Sequence, residues 1–116
     1  MADTLRYKIT KKDIDANNDV SDERTFSFDE TFTEKLQATF QQASGAGFTA
    51  FTFQGITTAT SMRIQSDQSI TCKFNSGSDE LVVNKNLIWE GSFTALTIEN
   101  TSGSTATITV ELYENT

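Results

Sequence analysis

The chain has 116 residues, a formal charge of -7 at neutral pH, a single cysteine, and neither histidine nor proline. That length suits one domain able to bury roughly two-thirds of the surface its unfolded chain exposes. The acidic balance argues against a duplex nucleic-acid partner, which draws on Lys and Arg to release counterions from phosphates. A lone Cys72 leaves no internal disulfide. No apolar run approaches the roughly 20 residues of a membrane span, and the first residues lack the apolar stretch of a signal peptide, so the expectation is a soluble chain made in the cytoplasm.

Abundant Thr, with Phe, Val and Ile, favours strands over helices. Leu5, Tyr7 and Ile9 alternate with Arg6, Lys8 and Thr10, the period of a half-buried strand. Lys11 to Arg24, rich in Asp and Asn, reads as an acidic loop or arm, because those side chains bond to nearby backbone and tolerate turn conformations. Phe26 and Phe28 mark a short strand that opens the sandwich. FTEKLQATF, Phe32 to Phe40, fits both a helical and a strand period; weak helix formers and the QQASGAG that follows favour a strand. Short strands are then expected over Phe48 to Phe53, Thr60 to Gln65, Ser69 to Phe74, Leu81 to Val83, Leu87 to Trp89 and Ser92 to Glu99, each bounded by turn residues. The last strand, Thr105 to Tyr113, sends Ala106, Ile108, Val110 and Leu112 to one face and Thr105, Thr107, Thr109 and Glu111 to the other. The sum is an all-β chain, a sandwich of about eight short antiparallel strands. Residues 1–24 form an N-terminal strand and acidic loop within the same domain, and residues 25–116 form the β-sandwich.

Chemistry has little to stand on in this sequence. No histidine is present to move a proton near neutral pH. Cys72 alternates with Ile70 and Phe74 and reads as a small core side chain. Asp67, Asp79, Glu80, Glu90 and Glu99 could in principle supply a glycosidase pair, but their places in turns and strands suit surface roles. Asp13, Asp15, Asn17, Asp19 and Ser21 place oxygen side chains as a calcium loop does, yet Asn18 stands where the sharp-turn Gly belongs and Arg24 where the bidentate Glu belongs. A solvated acidic loop is the plainer reading, and no catalytic, cofactor or metal residue is assigned. Trp89, Tyr7 and Tyr113 are open to core packing, a subunit contact or a sugar-stacking surface.

GITTATSMRIQSDQSITCKFN, Gly55 to Asn75, followed by the closing TALTIENTSGSTATITVELYE, resembles the small structural proteins that decorate or cement tailed-bacteriophage capsids. The likeness covers roughly the C-terminal half and rests on strands and turns. It implies a jelly-roll-like β-sandwich on the outer surface of the virion that bridges major capsid subunits, as a homo-oligomeric dimer or trimer, with no cofactor, membrane or nucleic-acid partner. The N-terminal segment to about Asp22 is then an arm reaching a neighbour. Alternatives are a phage tail or fibre component and a lectin-like carbohydrate-binding module.

Overall fold

A computed structural model describes residues 2–115 and contains only strands and turns among them. The chain forms two compact units, Met1–Phe32 and Thr33–Thr116.

The first unit is a long antiparallel ribbon of β1 (Asp3–Ile14) and β2 (Val20–Phe32). The expected loop from Lys11 to Arg24 is strand except for residues 15–19. Its charges fit the pleat: Lys12 lies opposite Glu23, and Thr10 opposite Thr25 with their hydroxyls 3.2 Å apart. Lys11 and Arg24 also face each other, but each is drawn to a carboxylate two residues away on its own strand, Asp13 at 3.6 Å and Asp22 at 3.5 Å. Cross-strand pairing of this kind stabilises a ladder that local turn propensity would leave open. Phe26 and Phe28, expected in the sandwich, lie opposite Ile9 and Tyr7 in this ribbon instead.

The second unit is a sandwich of two four-stranded sheets. Its strands are β3 (Glu34–Gln42), β4 (Thr49–Phe51), β5 (Ala59–Ser66), β6 (Ile70–Phe74), β7 (Leu81–Val83), β8 (Asn86–Phe93), β9 (Leu96–Glu99) and β10 (Ala106–Glu114). One sheet runs β3-β10-β5-β8 and the other β4-β9-β6-β7. Strands pair as mirror images about the β6–β7 turn: β6 with β7, β5 with β8, β4 with β9 and β3 with β10. The chain is thus a hairpin rolled on itself, a jelly roll, with β10–β5 and β9–β6 contacts joining its turns. The ambiguous FTEKLQATF is strand from Glu34 onward, where Leu36, Ala38 and Phe40 alternate with exposed Gln37 and Thr39, while its Phe32 ends β2.

The inner faces supply the core. Met62, Ile64, Ile108, Val110 and Leu112 from one sheet meet Ile70, Cys72, Val83, Leu96 and Ile98 from the other, all at most 3% exposed. Each such aliphatic side chain contributes roughly 1.5–3 kcal/mol on burial. Aromatic rings close both open sides of the sandwich. Phe40 stacks on Phe51 at 5.6 Å, with Phe53 beyond, while Phe74, Trp89 and Phe93 meet at 5.1–5.8 Å.

The stretch Ser92 to Glu99, expected as one strand, is divided. Phe93 ends β8 in one sheet and Leu96 begins β9 in the other. Asn75 holds that corner: its amide donates to the Ser92 carbonyl (2.9 Å), its carbonyl oxygen accepts from the Thr94 N–H (2.7 Å), and its own N–H donates to Ala95 O. Asn75 has φ 58, a left-handed value that Asn tolerates. At Gly91 a Cβ would lie 3.2 Å from the Phe93 ring, so a side chain there would press on the ring that turns the corner.

Candidate functional site

The ribbon has two unlike faces, because residues directly opposite in an antiparallel pair point the same way. Thr4, Arg6, Lys8, Thr10 and Lys12 share one face with Thr31, Asp29, Ser27, Thr25 and Glu23. Here Arg6 grips Asp29 through two bonds of 2.7 and 2.9 Å. That hydrogen-bonded guanidinium holds the Asp29 carboxyl below its ordinary range, and the carboxylate raises Arg6 in turn. The other face carries Leu5, Tyr7 and Ile9 beside Phe28 and Phe26, with Glu30 opposite Leu5 and the Lys11 and Arg24 pair next to Ile9 and Phe26. Tyr7 is nearly buried, its ring 4.9 Å from Phe28, whereas Phe26 is 52% exposed and Ile9 38%. Ile14 and Val20 at the ribbon tip are exposed as well.

The acidic tip is a turn. The Asp15 carboxylate accepts the N–H groups of Asn17 (2.9 Å) and Asp19 (3.0 Å), and Asn18 adopts φ 67. Asp13 and Asp22 are engaged with Lys11 and Arg24. Of the oxygen side chains that suggested a calcium loop, those of Asp15 and Ser21 are directed to the backbone and that of Asp13 to a cation of the ribbon. Among the described residues, no group of three or more His, Cys, Asp or Glu converges as metal ligands would.

In the sandwich the acidic residues serve different elements. Asp67 accepts the Thr107 N–H at 2.8 Å and ties the β5–β6 turn to β10. Glu114, which sequence reasoning passed over, is buried and accepts the Thr58 N–H at 2.7 Å, while Arg63 meets Glu111 at 3.2 Å. Asp79, Glu80 and Glu90 are exposed, the first two before β7 and the third on β8. Cys72 is fully buried, and desolvation pushes its thiol up to about 12. Among the aromatics, Tyr113 is buried and Trp89 is 42% exposed, on the same side of the sandwich as exposed Leu81 and Val82 of β7.

On the opposite side, a groove of about 390 Å³ runs along β3 and β4. Leu36, Phe40 and Phe51 give it an apolar floor, and Gln37, Gln41 and Gln54 line it with amides. Its inner end is organised by Gln42, which donates to Ile98 O at 2.8 Å and whose carbonyl accepts from Asn100 at 2.9 Å. The ribbon leaves apolar side chains exposed, and the sandwich leaves strand edges with no sheet neighbour among the described residues. A period-two reading finds the alternating faces; the pairing that unites Phe26 with Ile9 lies beyond it.

These features define an all-β jelly roll preceded by an amphipathic ribbon. No family model matches the chain, and no curated protein does. Among solved structures, the chain is similar to the solution structure of a de novo designed double-stranded beta-helix, at 10% identity over 93% of this chain and 97% of that one, with a TM-score of 0.36.

Proposed function

We propose that the protein is a virion structural protein, a capsid decoration or cement protein of a tailed bacteriophage that lies on the head and bridges major capsid subunits. In this reading it works as a homo-oligomer by adding contacts across the shell, and it catalyses no reaction. The observation that carries the reading is the apolar ribbon face with Phe26 and Ile9 open to solvent. A two-stranded ribbon is at best marginally stable in water, so such a face gains most against a second protein surface. Its strands of 12 and 13 residues make it roughly 40 Å long at the rise of a β-strand. The acidic balance suits a protein partner better than the genome. The resemblance of the segments from Gly55 and from Thr94 to capsid-decorating proteins adds the class of partner.

The test is co-sedimentation with particles assembled from the major capsid protein whose gene neighbours this one. Wild-type protein is expected in the particle fraction, raising the heat resistance of the shell, and Phe26→Lys is expected to stay in the supernatant while melting normally. Wild-type protein that leaves the particles bare refutes the reading. Trp89, exposed and supported edge-on by Phe74 and Phe93, favours a second one, a carbohydrate-binding module that stacks a sugar on the indole. A glycan-array signal lost in Trp89→Ala would select it over the first.

A further inference from the structure

The sandwich has four edge strands, and they are unequally protected. β4 and β7 are three residues each, too short to template much pairing. β8 carries Glu90, and its ladder with β5 is broken by a bulge between Ala59 and Ser61. β3 is the most regular of the four: all nine of its residues pair with β10 without a register shift, and its charges, Glu34 and Lys35, stand at its first two positions, leaving Leu36 to Gln42 neutral. Natural sheets guard edges of this kind with charges, proline or bulges, so an edge left regular and neutral is suited to pairing. The apolar groove lies along this same edge.

We propose that β3 is a homodimer interface, in which the β3 strands of two copies pair antiparallel about a two-fold axis at Ala38 to give one continuous eight-stranded sheet. This rests on the homo-oligomeric part of the reading above and needs nothing of its capsid part. The edge is complementary to itself. Leu36, Ala38 and Phe40 are the half-buried row and Gln37, Thr39 and Gln41 the exposed row. Opposed residues share a face, so only registers that match even with even positions keep the two apolar rows together. With the axis at Ala38 the overlap uses the whole strand. Leu36 then meets the partner's Phe40, Gln37 meets the partner's Thr39, and the small Ala38 sits where the chains cross. Glu34 and Lys35 face the partner's Gln42 and the partner's Gln41, so no like charges oppose each other. An axis at Gln37 would instead set Glu34 against the partner's Phe40. Closed two-fold pairs of this kind are the commonest soluble oligomers, and the added strand covers the groove that each copy leaves open.

Sedimentation equilibrium of the full chain, up to millimolar concentration, tests the proposal. Wild-type protein is expected at twice the monomer mass. The double variant Gln37→Lys/Thr39→Lys, which opposes two lysines on each side of the axis, is expected at the monomer mass with unchanged circular dichroism and melting. Mixing it with Gln37→Glu/Thr39→Glu is expected to restore the doubled mass. Ala38→Cys reads the register: opposed Cα atoms in an antiparallel pair lie about 4.5–5.5 Å apart, within disulfide range, so oxidation gives a covalent dimer. Lys35→Cys stays uncross-linked, and buried Cys72 does not interfere. A monomeric wild type, a dimer that survives the lysine pair, or cross-linking at position 35 overturns the proposal. So does a monomeric wild type whose particle binding is abolished by the lysine pair, because the edge then takes a foreign strand. A dimer that follows the expected pattern and ignores particles refutes the capsid reading alone.

Discussion

Asn100 is the polar residue on which the closing turn depends. It is fully buried, and its amide donates to the carbonyls of Gln42 (2.9 Å) and Ser104 (2.7 Å) while its oxygen accepts from the N–H and hydroxyl of Ser102 (3.0 and 2.7 Å). In Asn100→Ala the exposed partners recover bonds elsewhere: the Ser102 hydroxyl, released from Asn100, lies 2.9 Å from Ser104 O and donates there, and the Ser102 N–H is near water. Gln42 is buried and loses a donor to its carbonyl, a cost of about 1–3 kcal/mol for an acceptor left unmade. Another bond's worth, about 1 kcal/mol, goes with the ordered turn, so the expected loss is roughly 2–4 kcal/mol. With a urea slope of about 1–3 kcal/mol/M, a 3 kcal/mol loss lowers the unfolding midpoint by roughly 1–3 M. Asn100→Asp separates the hydrogen bonds from the shape. At neutral pH its carboxylate cannot donate to Gln42 and is buried as a charge, so it is expected to be less stable than the alanine variant. Burial raises a carboxyl's folded pKa above its unfolded value, so the stability present at low pH is lost as pH rises through that window. Urea titrations from acid to neutral pH check this. An alanine variant losing less than about 1 kcal/mol, or an aspartate variant that tracks it at every pH, would refute the assignment of the turn to this side chain.

Leu112, fully buried between Leu36 and Met62 on its neighbouring strands, is expected to cost about 2–5 kcal/mol as Leu112→Ala, read by the same urea unfolding. Ser61 Oγ is buried with no hydrogen-bond partner among the described residues, so Ser61→Ala is expected to be neutral or mildly stabilising, and a clear drop in melting temperature would contradict that. Cys72 holds its proton in the fold up to about 12 while the unfolded thiol titrates near 9.0. Above that lower value the unfolded chain binds fewer protons than the folded one, so stability falls with rising pH, and Cys72→Ala is expected to flatten the slope. The same burial predicts that the native protein does not react with thiol reagents until urea unfolds it.

Much of the sandwich was legible from alternation, because a buried face and a wet face leave a period of two whatever the partner strand is. Ala106, Ile108, Val110 and Leu112 lie on the core face as that period requires, and Leu81–Val83 falls where it was expected. The ribbon was less legible. Asp and Asn between Lys11 and Arg24 carry a local turn signal, and only pairing across the strands, with Lys12 against Glu23 and Thr10 against Thr25, turns most of that segment into ladder. The break inside Ser92 to Glu99 was hidden for a similar reason. Asn75, which clamps the corner, is remote in sequence and gives no sign there of the bonds it makes.

The sequence by itself determined an all-β chain, the inward and outward face of most sandwich strands, and a buried, unpartnered cysteine, because each follows from local periodicity and residue chemistry. It also excluded histidine chemistry and an internal disulfide by composition alone. Only the tertiary structure decided which strands are neighbours, where the chain passes from one sheet to the other, and which edges stay open. Those depend on contacts between residues far apart in the chain, such as Asn100 with Gln42 and Asn75 with Thr94, and on which backbone groups remain after every other strand has found its partner. The regular edge of β3 and the apolar face of the ribbon are properties of that arrangement, and they are the surfaces through which this protein is expected to act.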